Sequence, residues 1–110
     1  MPTFPEWFKA FKHVELWPGM EMAVLSGHNG QIGFQEIQEE TLVPEHAHGG
    51  QWGVVLEGQI EFTIQGRPQV YRKGEYYHIP AGVPHSAKLA AGTAFIDVWE
   101  GQRFPPERMK

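Results

Sequence analysis

Turn-forming residues punctuate this chain about every 8 to 12 residues, the spacing of short strands joined by tight turns. They cluster at Gly27-His28-Asn29-Gly30, Gly66-Arg67-Pro68, Pro80-Ala81-Gly82 and Ala90-Ala91-Gly92. In a helical protein the 13 glycines and 9 prolines would break every segment. In an all-β protein they are the turns. The stretches between them agree: Ile60, Phe62 and Ile64 alternate with Glu61, Thr63 and Gln65, the period of a half-buried strand. The expected fold class is all-β, a sandwich or barrel of short strands.

Strands are expected over Met22–Ser26, Gln31–Gln38, Thr41–Val43, Gln51–Leu56, Gln59–Gln65, Gln69–Arg72, Tyr76–Ile79, His85–Lys88 and Thr93–Trp99. Ile32, Phe34 and Ile37 slip in phase, which predicts a bulge or twist in their strand. One helical pattern precedes the strands. Thr3 and Glu6 have capping-box spacing and Phe4, Trp7, Phe8 and Phe11 share a helical face, so a short helix is expected from about Phe4 to Lys12. Its aromatic stripe reads as a plug for one end of the barrel or as a subunit contact. The 110 residues suit one domain: an N-terminal arm over 1–19, a barrel over 20–100 and a polar, loosely wrapped tail over 101–110.

Charge and composition narrow the partners. A net charge of −4 with scattered basic residues argues against nucleic acid and anionic membranes, which need a basic patch. No apolar run approaches the roughly 20 residues of a membrane span. The absence of cysteine removes disulfides, thiolate catalysis and zinc–thiolate sites. With no apolar signal core near Met1, a cytoplasmic setting is expected.

Three of the six histidines have informative spacings. His46 and His48 lie two apart on an extended segment, so both side chains point to one face. Two imidazoles converging inside a barrel need a partner for their lone pairs, and a divalent metal is one. Gln51 follows after Gly49-Gly50, a pair that can restore the phase and aim its carbonyl oxygen at the same point. His85 leaves the turn shaped by Pro80 and Gly82. His13 and His28 read as solvated, and His78 as a residue that lines a pocket or faces outward.

These residues resemble the two motifs of the cupin superfamily. The first motif runs Gly-x5-His-x-His-x3-4-Glu-x6-Gly and matches at His46, His48 and Gly58. The second runs Gly-x5-Pro-x-Gly-x2-His-x3-Asn and matches from Gly74 through Pro80 and Gly82 to His85. The chain departs from the pattern at Glu40, in the place of the first glycine. It departs again at Gln51 in the glutamate position, in a preceding loop one residue short, and at Leu89 in the asparagine position. The resemblance implies a jelly-roll-like antiparallel β-barrel holding one divalent transition metal (Mn, Fe, Co, Ni or Zn) on His46, His48, Gln51 and His85. Small barrels of this type also pair, so a homodimer is expected.

Gln51 brings no charge where glutamate would. Three imidazoles and an amide leave the ion's full charge on the site, which favours Lewis-acid work on an anionic substrate. On the last strand Phe95, Asp97 and Trp99 share a face, so Asp97 would be a carboxylate among aromatics with a desolvation-raised pKa. Arg103 could curl back and clamp a substrate carboxylate. This set is similar to the pectin-degradation cupins that linearise unsaturated uronates. That resemblance implies a metal-dependent ring opening of a small sugar acid, with Asp97 shuttling a proton and Arg103 holding the carboxylate. Two alternatives stay open: an Fe-dependent dioxygenase of a small carbonyl compound, and a barrel that binds a small molecule without turnover.

Overall fold

The computed structural model describes residues 4–17 and 20–109. Ten strands follow one another: β1 (Lys12–Trp17), β2 (Met20–Gly27), β3 (Gly30–Glu36), β4 (Thr41–His46), β5 (Gln51–Glu57), β6 (Gln59–Ile64), β7 (Arg67–Arg72), β8 (Tyr76–Ile79), β9 (His85–Leu89) and β10 (Ala94–Glu100). They form a six-stranded sheet, ordered β1-β2-β3-β10-β5-β8, and a four-stranded sheet, ordered β4-β9-β6-β7. Every pairing is antiparallel. The antiparallel cupin barrel implied by the motifs is the observed fold.

Local chemistry sets these hairpins. Between β6 and β7 the loop is Gln65-Gly66, with φ of 51° and 77°. Two positive φ values in a two-residue loop match the right-handed twist of the flanking strands, and glycine accepts such a value at no steric cost. The inner faces of both sheets then meet in a core of Met20, Ile37, Val55, Ile60, Phe62, Tyr77, Ile79, Leu89 and Phe95. A second cluster of Val14, Met22, Val24, Trp99 and Phe104 joins β1, β2 and β10 to the C-terminal segment.

The N-terminal helix does not form. Its place holds a single 3-10 turn over Glu6–Ala10, entered from Pro5 and left through an extended Phe11. Thr3 of the expected capping box lies outside the described residues. One turn is enough to set Phe4, Phe8 and Phe11 against Phe34, with Phe4 and Phe8 stacked at a centroid distance of 5.4 Å. A longer helix would pull Lys12–Trp17 away from β2, where this part of the arm forms a paired strand.

Two further expectations change. β3 contains no bulge: its register against β10 runs unbroken from Gly30 to Glu36. Its inward face carries Gln31, Gly33 and Gln35, and Ile32 and Phe34 point outward. The tail, expected to wrap loosely, is pinned. Phe104 is fully buried, and its backbone N–H and C=O are both held by the Gln31 amide, at 2.8 and 2.7 Å.

The outer face of the larger sheet is apolar. In register across five strands, Leu25, Ile32, Val98, Trp52 and His78 form one row. Ala23, Phe34, Ile96, Val54 and Tyr76 form the next. Trp52 is 48% and Tyr76 71% exposed. His78 stacks on Trp52 at 4.0 Å, so it faces outward, away from the barrel interior.

Candidate metal centre and pocket

His46 ends β4 and pairs with His85, which starts β9, across a register shift in β4 that follows Val43. Pro44 sits within that irregularity, where its missing N–H costs no ladder bond. His48 lies in the connection beyond, before Gly49-Gly50. The three imidazoles offer nitrogen atoms that all lie within 4.8 Å of one another, with ring centroids 4.3 to 5.2 Å apart.

Their hydrogen bonds fix which nitrogen is free. Nδ1 of His46 bonds the Pro44 carbonyl at 2.8 Å, that of His48 the Gly49 carbonyl at 2.7 Å, and that of His85 the Val83 carbonyl at 2.9 Å. A carbonyl only accepts, so each Nδ1 carries the proton and each Nε2 keeps its lone pair. A backbone carbonyl behind a ligand histidine is the usual way its tautomer and ring orientation are set. Burial also disfavours the charged form of two of the rings. It lowers His48 to about 4 and His85 below its ordinary value, against a smaller opposing effect of each backbone bond. The donor set fits a divalent ion.

Gln51 opens β5 with its side chain inward and 5% exposed, followed on that face by Gly53 and Val55. Gly49 and Gly50 do restore its phase. They do so by close approach to Glu100, whose N–H bonds the Gly50 carbonyl at 3.0 Å, and neither has a positive φ.

One pocket of about 280 Å³ is lined by all three histidines, Gln51, Asp97 and Arg103, with Phe62, Leu89, Phe95 and Trp99 among its apolar walls. Asp97 is 3% exposed. Tyr77 donates to its Oδ1, and Gln35 donates to Oδ2 at 3.1 Å. Burial pushes Asp97 up to about 6, against hydrogen bonds from Tyr77, Gln51 and Gln35 and the charge of Arg103. The Tyr77 phenol in turn rises well above its ordinary value through burial and the Asp97 charge. Among the described residues no carboxylate forms a salt bridge with Arg103. Its buried Nε has no partner, nor do Trp99 Nε1 and Gln35 Oε1.

Two site neighbours went unread in the sequence. Tyr77 lies in the short run Tyr76–Ile79, whose alternation does not say which face turns inward. Gln35 had a signal: with Gln31 it occupies the polar positions of β3, which alternation alone would assign to solvent.

The cupin domain family matches residues 33–99, well over half of the chain. The chain belongs to the cupin family. Quercetin 2,3-dioxygenase of Bacillus subtilis is 33% identical to this cupin over 69 residues, 63% of this chain and 18% of that protein. The cupin thus spans less than a fifth of that relative's length. Among solved structures, KdgF from Halomonas sp. superposes with a TM-score of 0.75 at 17% identity, covering 94% of this chain and 96% of that one. An RmlC-like cupin from Shewanella frigidimarina gives 0.77 at 21% identity, covering 94% of each chain. Bacillus subtilis oxalate decarboxylase, described for its Mn(II) centres, gives 0.72 at 19% identity, with 91% of this chain and 30% of that one. At these identities the structural likenesses show the fold. The three-histidine site of this cupin is fit to hold a metal ion on its own geometry. No helix among the described residues is long and apolar enough to cross a membrane.

Proposed function

We propose that this cupin is a metal-dependent isomerase that opens the ring of a small unsaturated uronate. The observation that carries the reading is the meeting, in one pocket, of three imidazoles, the buried Asp97 and an Arg103 without a salt-bridge partner among the described residues. An ion held by His46, His48, His85 and the Gln51 carbonyl oxygen would supply Lewis-acid polarisation of a substrate oxygen. Arg103 pairs with the substrate carboxylate, and its charge also draws anions into the pocket. Ring opening removes the proton of the C1 hydroxyl and breaks the bond from C1 to the ring oxygen, so that C1 becomes an aldehyde and the ring oxygen stays on C5 as an enolate. A proton is delivered to C4 as the C5 enolate becomes a ketone. No oxidant or reductant is needed. Asp97, with a pKa raised to about 6, is suited to take and return a proton near neutral pH. Phe62, Phe95 and Trp99 exclude water around it.

The test is direct. Purified protein loaded with Mn or Ni is mixed with a 4,5-unsaturated monouronate, and loss of the ultraviolet band of the conjugated double bond is followed. Asp97→Asn should abolish the loss while keeping the metal. An unchanged band in the loaded wild-type protein sinks the reading.

A second reading has its own observation, the 33% identity to quercetin 2,3-dioxygenase over the barrel. It predicts oxygen uptake by the Fe-loaded protein with a small carbonyl substrate. Uronate binding without turnover or oxygen uptake would leave a binding module. The reading includes a homodimer through the two apolar rows of the larger sheet. Isologous pairing buries the exposed Leu25, Val98, Trp52 and Tyr76 of both copies at once, whereas a monomer leaves them in water.

A further inference from the structure

The C-terminal segment is held on the barrel by one side chain above all. Gln31 lies on the inner face of β3 and is 1% exposed. Its Oε1 accepts from the Phe104 N–H at 2.8 Å and its Nε2 donates to the Phe104 carbonyl at 2.7 Å. The amide thus pairs with the backbone of residue 104 as a neighbouring strand would, inside the protein, where a broken bond leaves buried groups unpaired. Gln102 adds a more exposed anchor, bonding the Gly27 carbonyl at 2.6 Å and the Ser26 hydroxyl at 3.1 Å. Arg103 sits between these two anchors. Its guanidinium carbon is 4.7 Å from the Phe104 ring centre and 5.9 Å from that of Trp99, and its side chain lines the pocket.

We propose that Gln31 is a positioning residue: by clamping both backbone groups of Phe104 it holds Arg103 over the pocket as the carboxylate-binding group. The geometry leaves little else to do so. No salt bridge holds the guanidinium among the described residues, and its buried Nε has no protein partner. The direction of Arg103 therefore comes from the backbone on either side of it and from the two rings beneath it. A flexible arginine would lose side-chain freedom on every binding event. With its backbone fixed and its guanidinium resting on two rings, Arg103 has fewer conformations left to lose, which raises affinity without any new contact. This inference rests on the proposed role of Arg103 towards an anionic sugar acid, and gives that role its structural cause.

The experiment is a double-mutant cycle on Gln31→Met and Arg103→Met, both metal-loaded, with calorimetric binding of D-galacturonate and of its uncharged amide. Gln31→Met is expected to weaken galacturonate by about tenfold and the amide by under about threefold. In the Arg103→Met background the same change should alter galacturonate affinity by less than about twofold. A purely structural role predicts equal losses for acid and amide and equal losses in both backgrounds. Either result overturns the proposal, as does wild-type protein that binds acid and amide alike. Should Gln31→Met fail to fold, Gln31→Glu keeps the acceptor for the Phe104 N–H and enters the same cycle. Turnover of the unsaturated uronate is scored separately. An intact cycle without turnover leaves this inference standing and removes the isomerase, and the converse result removes only the clamp.

Discussion

Tyr77 donates its phenolic proton to Oδ1 of Asp97 across space that exists because residue 53 is glycine. A Cβ at that position would collide with the Tyr77 ring, its hydroxyl and the Asp97 oxygen together. The bond favours the charged form of the aspartate, so it opposes the desolvation that pushes Asp97 up to about 6. Tyr77→Phe should therefore raise the Asp97 pKa further. The acidic limb of the pH–rate profile is expected to move to higher pH, with turnover at pH 7 falling by about tenfold. An unmoved limb would show that Tyr77 only fills space. Gly53→Ala should cost about 1–3 kcal/mol in urea unfolding, because backbone, ring and carboxylate cannot all yield.

Metal binding to the folded state alone should stabilise it. With free Ni or Mn at about 100 times its Kd, the gain is about 2.7 kcal/mol, a rise of about 10 °C in Tm for a domain of this size. His48→Ala removes one of three free imidazole nitrogens and should erase the rise, with elemental analysis showing a parallel loss of metal. Gln51→Ala removes only a neutral oxygen and should keep part of both. Equal effects of the two substitutions would contradict the ranking of imidazole over amide. The metal-loaded protein treated with chelator should return to the metal-free midpoint.

Acid should weaken the metal-free protein in a way that Asp97 partly offsets. His48 and His85 have folded pKa values below the 6.5 of the unfolded chain, with His48 at about 4. Between those values the unfolded state binds more protons, so stability present above pH 6.5 is lost as pH falls towards 4. Asp97 runs the other way: its folded pKa of about 6 exceeds the ordinary 3.8, so its contribution is present below 3.8 and lost as pH rises through 6. In Asp97→Asn the offset is gone. Urea midpoints measured from pH 7 to pH 4.5 should fall more steeply in that variant than in the wild type; parallel slopes would refute the assignment.

What the sequence made legible follows from where each signal came from. The metal-centre histidines stand on spacing, and spacing survives folding: His46 and His48 converge because residues two apart on an extended chain share a face. Phe95, Asp97 and Trp99 were readable for the same reason. β3 misled because its inner residues are Gln31, Gly33 and Gln35, committed to Phe104, to the Trp99 ring and to Asp97, while its outer face is apolar. Alternation reports which face is apolar, and here that is not the face turned to the core. The pinned tail was hidden for a related reason. Its anchor is a backbone pairing with the side chain of residue 31, 73 positions away, and nothing in the polar run 101–110 announces it beyond Phe104.

That same inversion makes the outer rows the place to test association. Leu25, Ile32, Val98 and Trp52 lie side by side on four adjacent strands, with Trp52, Val98 and Leu25 each more than 40% exposed. Val98 lies at the middle of the row, on the strand whose inward neighbours are Asp97 and Trp99. Val98→Asp would put a charge into the centre of a paired face, where it must lose its water without gaining a partner. The wild type is expected to run as a dimer in light scattering at micromolar concentration, and Val98→Asp as a monomer. Because its side chain points away from the pocket, metal content per chain should stay unchanged in Val98→Asp. A monomeric wild type would show that this sheet face stays in water, and a dimer persisting in Val98→Asp would place the contact elsewhere on the molecule.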